Sequence, residues 1–451
     1  MQKRMAIVVL IIVVYRMLSH IPVPLAEPTQ LKQLLSNLFS SQQLLGFFDL
    51  LSGGALSSLS IMLMGLGPYI NASIIMQLLT KAFPKLEEMQ QDGEVGRRKI
   101  NQWTRIIALP LALVQSVGLI LLVRQSAGAQ LGIDITANTT PFQWALMVSA
   151  LTGGSMLLMW LGELITEQGV GNGISLLIFA GIVSRLPGTA STLINTVTGQ
   201  QAKLGVFGWF TLPISGKGLA ITSAVIGATI IVTFLVVKLN EAQRVIKVSY
   251  AKRVQGNRAY GGVGTILPVK LITAGVIPII FAVAFLSVPQ FVGQLIKSNP
   301  TPWIAQLGTN LTVWFAQPNQ TQTVSTNPIN TYVYPAVYFL LIVAFTYFYT
   351  GVVFNAKEIA ENLQKQGGFI EKIRPGPQTE LYLKKIVNRL NLFGAISLGL
   401  LALLPLFVER LLGTTSLTIG GTGLLIVVSV ALETLRQIES RALMIAYDQD
   451  Y

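Results

Sequence analysis

The chain has 451 residues, 52% hydrophobic and only 11% charged, with a mean hydropathy of +0.61. Soluble domains are about 25% charged, so this composition excludes a soluble globular protein and points to an integral membrane protein. Its apolar runs are long and unbroken, unlike the alternating ten-residue segments of a membrane barrel. No cysteine and a single histidine, His20, exclude disulfide frameworks, thiolate metal sites and histidine-built catalysis. The net charge of +13 implies an acidic partner or anionic lipid wherever it is clustered.

Ten apolar segments predict ten transmembrane helices. The first, about 4–20, follows Lys3 and Arg4; no clean small-residue cleavage site comes after it, and it reads as a retained span. The second, Gly46–Leu79, is broken by Gly53-Gly54 and by Gly65, Gly67 and Pro68, and carries the amides of Asn71 and Gln77. It reads as two pieces, near 48–60 and 68–81. Broken helices at membrane depth occur where they are buried in protein or line a wet cavity. One reading makes the first piece a movable stopper and the second a pore wall; the other is a kinked span packed in a bundle. The remaining segments are about 103–123, 143–165, 173–186, 218–238, 271–289, 332–354, 391–408 and 420–437.

Orientation follows from the Lys/Arg asymmetry between loops. With the N-terminus cytoplasmic, Lys3 and Arg4, residues 81–105, 238–270 and 357–389, and the tail from Arg436 hold 24 of the 32 Lys+Arg. Both termini then face the cytoplasm. The outer connections 21–45, 187–217 and 290–331 are polar and charge-poor. Ten spans divide as five and five about residues 191–217, giving halves 1–190 and 218–451. An odd number in each half inserts them with opposite orientation, the inverted repeat of transporters and channels, with the pathway between the halves.

Two basic cytoplasmic segments stand out. Residues 240–270 alternate around Val245-Ile246-Lys247-Val248 and predict a short hairpin carrying Arg244, Lys247, Lys252, Arg253 and Arg258. Residues 355–390 open as an amphipathic helix, break at Gly367-Gly368 and turn at Arg374-Pro375-Gly376-Pro377. Such loops either dock a partner, by lipid, RNA or acidic protein contact, or are solvated positive-inside charge. There is no GxxxxGK[ST] loop and no HExxH, so energy comes from a partner or a gradient. Intramembrane carboxylates are few. Glu163 and Glu433 both fall near inner ends of spans, where the interface is the natural place for them.

Nine stretches in order resemble the SecY/Sec61-alpha family of protein-conducting channels. They are VYRMLSHIPVP (14–24), FDLLSGGALSSLSI (48–61), GPYINASIIMQLL (67–79), GRRKINQWTR (96–105) and LGELITEQGVGNGISLLIFAGIV (161–183). They continue with YAKRVQGNRAYGG (250–262), LPVKLITAGVIPIIFA (267–282), IRPGPQTELYL (373–383) and GGTGLLIVVSVALET (420–434). The resemblance implies an all-α membrane clamshell of two inverted five-helix halves around an hourglass pore. Its constriction would be Ile70, Ile74, Ile174, Ile178, Ile280 and Ile426; the pairs 70/74 and 174/178 each share a helical face. Most membrane isoleucines are lipid-facing or core, and without the resemblance these six do not stand out. The plug would be Phe48, Asp49, Leu50, Leu51, Ser52, Gly53, Gly54, Ala55 and Leu56, extending to about Leu59. A lateral gate would open between the second-span helix and the seventh, with Asn71, Gln77, Gln115 and Thr273 holding it closed.

The resemblance further implies docking of a motor ATPase or a ribosome at Arg244, Lys252, Arg253, Arg258 and Arg374. It implies SecE and SecG companion subunits, the SecA motor, signal-peptide-bearing polypeptides and membrane lipid as partners, in the cytoplasmic membrane. No cofactor or metal is expected. The sequence departs from the family in four places: little precedes the first span, SSLSI in the plug lacks charge, Glu371-Lys372 stand where relatives commonly have Pro-Gly, and the outer loop 290–331 looks long. Against a passive channel stand a solute transporter, disfavoured by the lack of buried carboxylates, and an insertase without secretion. An enzyme is least supported.

Overall fold

A computed structural model describes residues 2–23, 60–131, 140–198, 204–206, 210–212, 216–250, 253–255, 258–260, 264–297, 301–315, 330–412 and 418–449. Helix α1 spans Gln2–Leu18. Residues 60–66 follow as turns, and α2 begins at Gly67 and runs to Ala82. Pro68 sits in its first turn, where a missing N–H costs nothing. The non-helical stretch before it is satisfied by protein. Ser60 Oγ donates to Leu18 O, Ile61 N to Ile21 O, and Ser155 Oγ to Gly65 O. Met62, Leu63, Met64 and Leu66 are all buried, which is how broken backbone survives in a bilayer.

Phe83-Pro84 interrupts the chain, and α3 (Pro84–Gln91) and α4 (Gly93–Leu131) follow. A capping box of Thr140 and Gln143 starts α5 (Pro141–Gln168), and Gly169, at φ +69°, ends it. Asn172 caps α6 (Gly173–Val183) by accepting from the N–H groups of Ile174 and Ser175. α7 (Leu186–Val197) and the pair β1 (Leu204–Val206) and β2 (Phe210–Leu212) connect to α8 (Gly216–Glu241).

The basic segment after α8 is the hairpin expected from its alternation. β3 (Gln243–Tyr250) pairs antiparallel with β6 (Gly264–Lys270), from Gln243↔Lys270 to Ser249↔Gly264. Between them, β4 (Arg253–Gln255) and β5 (Arg258–Tyr260) form a second small hairpin. α9 (Ile277–Ile296) begins later than the predicted 271–289, because Gly275 at φ +62° and Pro278 set its start. α10 (Pro302–Trp314) lies within the polar loop 290–331, where no helix was expected. α11 (Asn330–Val353) leads to α12 (Ala356–Lys365), capped by Asn355, then to β7 (Gly368–Ile370). α13 (Pro377–Leu412) is continuous through the predicted span 391–408, and α14 (Thr418–Gln449) follows.

The fold is helical, with one addition the sequence did not predict. β7 pairs with β3, Val248 opposite Ile370 and Tyr250 opposite Gly368, in a sheet of order β6-β3-β7. The two basic segments are therefore one unit. Ile246, Val248, Val269 and Ile370 on one sheet face form a small core with Leu383, Ile386 and Val387 of α13.

Two sets of helices pack together. α1, α2, α4 and α6 gather on α5; α8, α9, α11, α13 and α14 form a second set. The sets meet where α9 packs on α2 and α4, where α14 packs on α6, and where α8 packs on α7. The outward faces are strongly apolar. Leu10, Val114, Phe142, Ile230, Leu340 and Leu400 are among large side chains more than half exposed, an arrangement that only a hydrocarbon solvent makes favourable. Among the described residues seven helical segments are long and apolar enough to cross a membrane. The expected first and second spans are helices of 17 and 16 residues, short of the roughly 20 that a straight span needs.

Candidate functional site

The site lies where the two helix sets face each other. α2 contributes Ile70 and Ile74, α6 contributes Ile174 and Ile178, α9 contributes Ile280 and α14 contributes Ile426. Ile70, Ile74, Ile178, Ile280 and Ile426 are between 1 and 6% exposed and belong to one apolar cluster. Ile174 is half-buried and packed against that cluster. It also leans on α5: a Cβ built on Gly162 would lie 3.2 Å from its Cγ1. The four helices that carry these residues touch across the two sets, α2 with α9 and α6 with α14, beside the α9–α4 and α8–α7 contacts.

The α5–α6 turn that aims Ile174 and Ile178 is fixed by small residues and hydroxyls. Gly173 N donates to Thr166 Oγ1 at 2.9 Å, and Thr166 Oγ1 donates to Gly162 O at 2.9 Å. A Cβ on Gly173 would collide with the Gly162 carbonyl, so α6 can start this close to α5 only with glycine there. Across the turn, the Arg441 guanidinium of α14 lies over Gly169, in space a Cβ would fill.

The seam between α9 and the pair α2/α4 has its own geometry. Phe291 of α9 packs the tip of its ring against Gly118 of α4, where a Cβ would strike it. Nothing in the sequence marked this contact except a glycine inside a predicted span. Of the four expected gate residues, Asn71 and Gln77 are half-buried on α2 and Gln115 is half-buried on α4. Gln77 Nε2 donates to Ser73 Oγ, while the Oε1 atoms of Gln77 and Gln115 are buried without a hydrogen-bond partner among the described residues. Thr273 is not on a helix. It lies in the turn before α9 and donates to Lys270 O at 3.3 Å. The four sit on helices that pack together, or beside them, but form no hydrogen bond with one another.

The expected plug, Phe48, Asp49, Leu50, Leu51, Ser52, Gly53, Gly54, Ala55 and Leu56, lies outside the described residues, and so does Lys252. Arg244 is exposed on β3, Arg253 opens β4 and Arg258 opens β5, with Arg253 opposite Tyr260. Arg374 is exposed in the turn after β7, where its carbonyl accepts from Thr379 Oγ1 at 2.9 Å. The β3–β7 pairing thus brings the two basic segments to one end of the molecule.

A polar groove of about 740 Å³ opens at that same end, lined by Lys81 and Glu87 near the α2–α3 break and by Thr350, Asn355, Glu380 and Asn391 of the second set. Thr350 Oγ1 donates to Asn391 Oδ1 at its base. Glu163 is committed to an ion pair with Arg105, 2.6 Å away between α4 and α5. At the root of the sheet, Arg436 donates to Asn240 O and Asn240 Nδ2 to Ser429 Oγ, tying α8 to α14. Burial pushes the Lys270 amine below the ordinary lysine value; Arg436 acts in the same sense and Glu433 opposes it.

Long helices with apolar outer faces, two sets meeting around an apolar cluster and basic loops gathered at one end define a multi-pass helical membrane protein. The chain matches the SecY family over residues 60–435. It is 37% identical over 449 residues to the "Protein translocase subunit SecY" of Mycobacterium bovis, covering 97% of this chain and 94% of that protein. Among solved structures it is similar to one described as "The structure of a protein conducting channel", with TM-score 0.66 and 21% identity, covering 95% of this chain and 91% of that one. It is also similar to Sec61 in a canine ribosome–channel complex, with TM-score 0.62 and 20% identity, covering 95% and 91%. The chain belongs to the SecY family.

Proposed function

We propose that the chain is the channel subunit of a protein translocase. It passes unfolded secretory polypeptides across the cytoplasmic membrane and releases signal sequences and membrane spans sideways into lipid. The observation that supports this most directly is that six isoleucines from four helices of both sets belong to, or pack against, one apolar cluster that runs through both sets. A translocating chain carries backbone amides and charges, and each unpaired polar group in hydrocarbon costs several kcal/mol. A charge costs about 2.5–3.5 kcal/mol on insertion scales. A short apolar ring between wet funnels limits that cost to one layer. It offers the passing chain nothing to bind, and it can dewet when empty and so limit ion leak. The polar groove near Lys81 and Asn391 fits the funnel on the side of the basic loops.

In this reading the ten spans form two inverted halves, 1–190 and 218–451, joined by a hinge at 191–217. Residues 48–56 plug the ring, and α9 parts from α2 and α4 at the residues Asn71, Gln77, Gln115 and Thr273. Both termini are cytoplasmic. The β6-β3-β7 unit, with Arg244, Lys252, Arg253, Arg258 and Arg374, receives the SecA motor or the ribosome. SecE and SecG complete the assembly, and the chain itself performs no catalysis and holds no cofactor.

Photo-crosslinking tests the reading. A crosslinker placed at Ile74, Ile280 or Ile426 should capture a stalled secretory chain in membranes, while one at exposed Ile230 or Leu340 should not. If none of the ring sites captures the chain while a signal peptide still crosslinks near Asn71, the protein is an insertase and the cluster is ordinary packing.

A further inference from the structure

Helix α10, PWIAQLGTNLTVW, contains no charged residue, and its two faces have different surroundings. One face is set into α9. A Cβ built on Gly293 would lie 2.8 Å from Leu311 Cβ and 2.9 Å from Gly308 O. One built on Gly308 would lie 2.7 Å from the backbone N of Lys297 and 2.8 Å from Gly293 O. Glycine on both helices is what lets their backbones come this close, as membrane helices do when small residues face each other. A second face, about a third of a turn round from Gly308, presents Trp303, Leu307 and Trp314, exposed by 66, 48 and 41%. Their spacing of i, i+4 and i+11 puts them on one stripe.

The position of that stripe follows from α9. α9 is one of the seven helical segments long and apolar enough to cross a membrane, and its own exposed apolar stripe, Phe285, Val288 and Val292, stops one residue short of Gly293. α10 therefore crosses α9 in its last turn, at the boundary of the hydrocarbon, at the end remote from the sheet. Tryptophan joins an apolar body to a polar N–H and is enriched at that boundary. Both helices of this close pair thus carry exposed apolar side chains beside their contact.

We propose that α10 is a membrane-interface anchor. Trp303, Leu307 and Trp314 insert at the headgroup–acyl boundary of the leaflet remote from the sheet, and the Gly293–Gly308 contact makes α9 and α10 one rigid unit. The bilayer interface then holds α9 through α10. That α9 is the moving side of a lateral gate rests on the channel reading above; the anchor itself does not.

The test uses the full chain in phosphatidylcholine–phosphatidylglycerol vesicles, with Trp103, Trp144, Trp160 and Trp209 replaced by phenylalanine so that Trp303 and Trp314 alone emit. Lipid brominated near the headgroup should quench their emission strongly, lipid brominated near the bilayer centre less, and aqueous iodide little. Strong iodide quenching without bromolipid quenching overturns the proposal in favour of a solvent-facing helix. Protection from both overturns it in favour of a protein-covered face. In the same chain Gly308→Leu should red-shift the emission and admit iodide, with helix content by circular dichroism unchanged. An unaltered spectrum would show that the glycine contact does not hold α10 in place. Because no arm reads translocation, failure here and failure of the channel reading are separate outcomes.

Discussion

Lys372 is the one non-glycine residue at positive φ among the described residues, at +67°. It stands in the Glu371-Lys372 pair that replaces the Pro-Gly expected from the family. The left-handed region costs an ordinary side chain about 1–2 kcal/mol, and glycine gives part of that back as chain entropy, about 0.5–1 kcal/mol. Lys372→Gly should therefore stabilise the turn between β7 and α13 by up to about 1 kcal/mol. Slower amide exchange from Ile370 to Thr379 would report it; faster exchange would contradict it. Lys270 supplies a second prediction. Its lowered pKa means that the folded chain releases this proton before the unfolded chain does. The stability penalty of its charge is full below the lowered value and diminishes as pH rises through that value toward 10.5. Glu433→Gln removes the opposing carboxylate, so Lys270 should be acylated faster at mildly alkaline pH in that variant. An unchanged rate would remove Glu433 from its surroundings. At this scale the sequence was legible only through resemblance: the motif GPYINASI pointed to Ile70 and Ile74, whereas no periodicity separates them from the other isoleucines.

Among elements, the α9–α4 contact is the sharpest case of what sequence reading misses. Gly118 shows only as a glycine in an apolar run; its use appears once Phe291, far along the chain, packs on it. Gly118→Leu should force α9 away from α4 at a cost of about 1–3 kcal/mol. It should lower the thermal stability of the purified chain and ease lateral entry of weak signal peptides; an unchanged melting temperature would mean the ring finds another place. The β3–β6 hairpin was legible because alternation survives in Val245–Val248 and the partner strand is near in sequence. β7 was not, because three residues carry no periodic signal and their partner is more than a hundred positions away. The start of α9 was misjudged because hydropathy continues through Ile272 while Gly275 forbids the helix there.

For the whole molecule, the basic segments were legible as belonging to one side, and the structure brings residues 240–270 and 355–390 into one sheet-bearing unit at one end. The ten-span count was read from hydropathy, which also finds segments too short to cross unaided. Packing decides what those do: α1 rests on α5, and α2 is enclosed by α4, α5 and α9. If the two helix sets part along α9, replacing both Asn71 and Thr273 with alanine should let translocation tolerate defective signal peptides, measured in a membrane vesicle assay. Unchanged selectivity would leave the closure to apolar packing such as Phe291 on Gly118.

The anchoring of Ser60 sets a leash. Its hydroxyl is held by Leu18 O, and the next residue by Ile21 O, so the chain emerges from a fixed point on α1. An extended chain covers at most about 3.6 Å per residue, so Leu56 can stray no more than about 14 Å from that point, and Phe48 no more than about 43 Å. Any displacement of the proposed plug is therefore bounded by its distance along the chain from Ser60. Substituting Ser60 would remove the hydroxyl contact to Leu18 O but leave the backbone bond from Ile61 to Ile21 O, so the fixed point would loosen and not move.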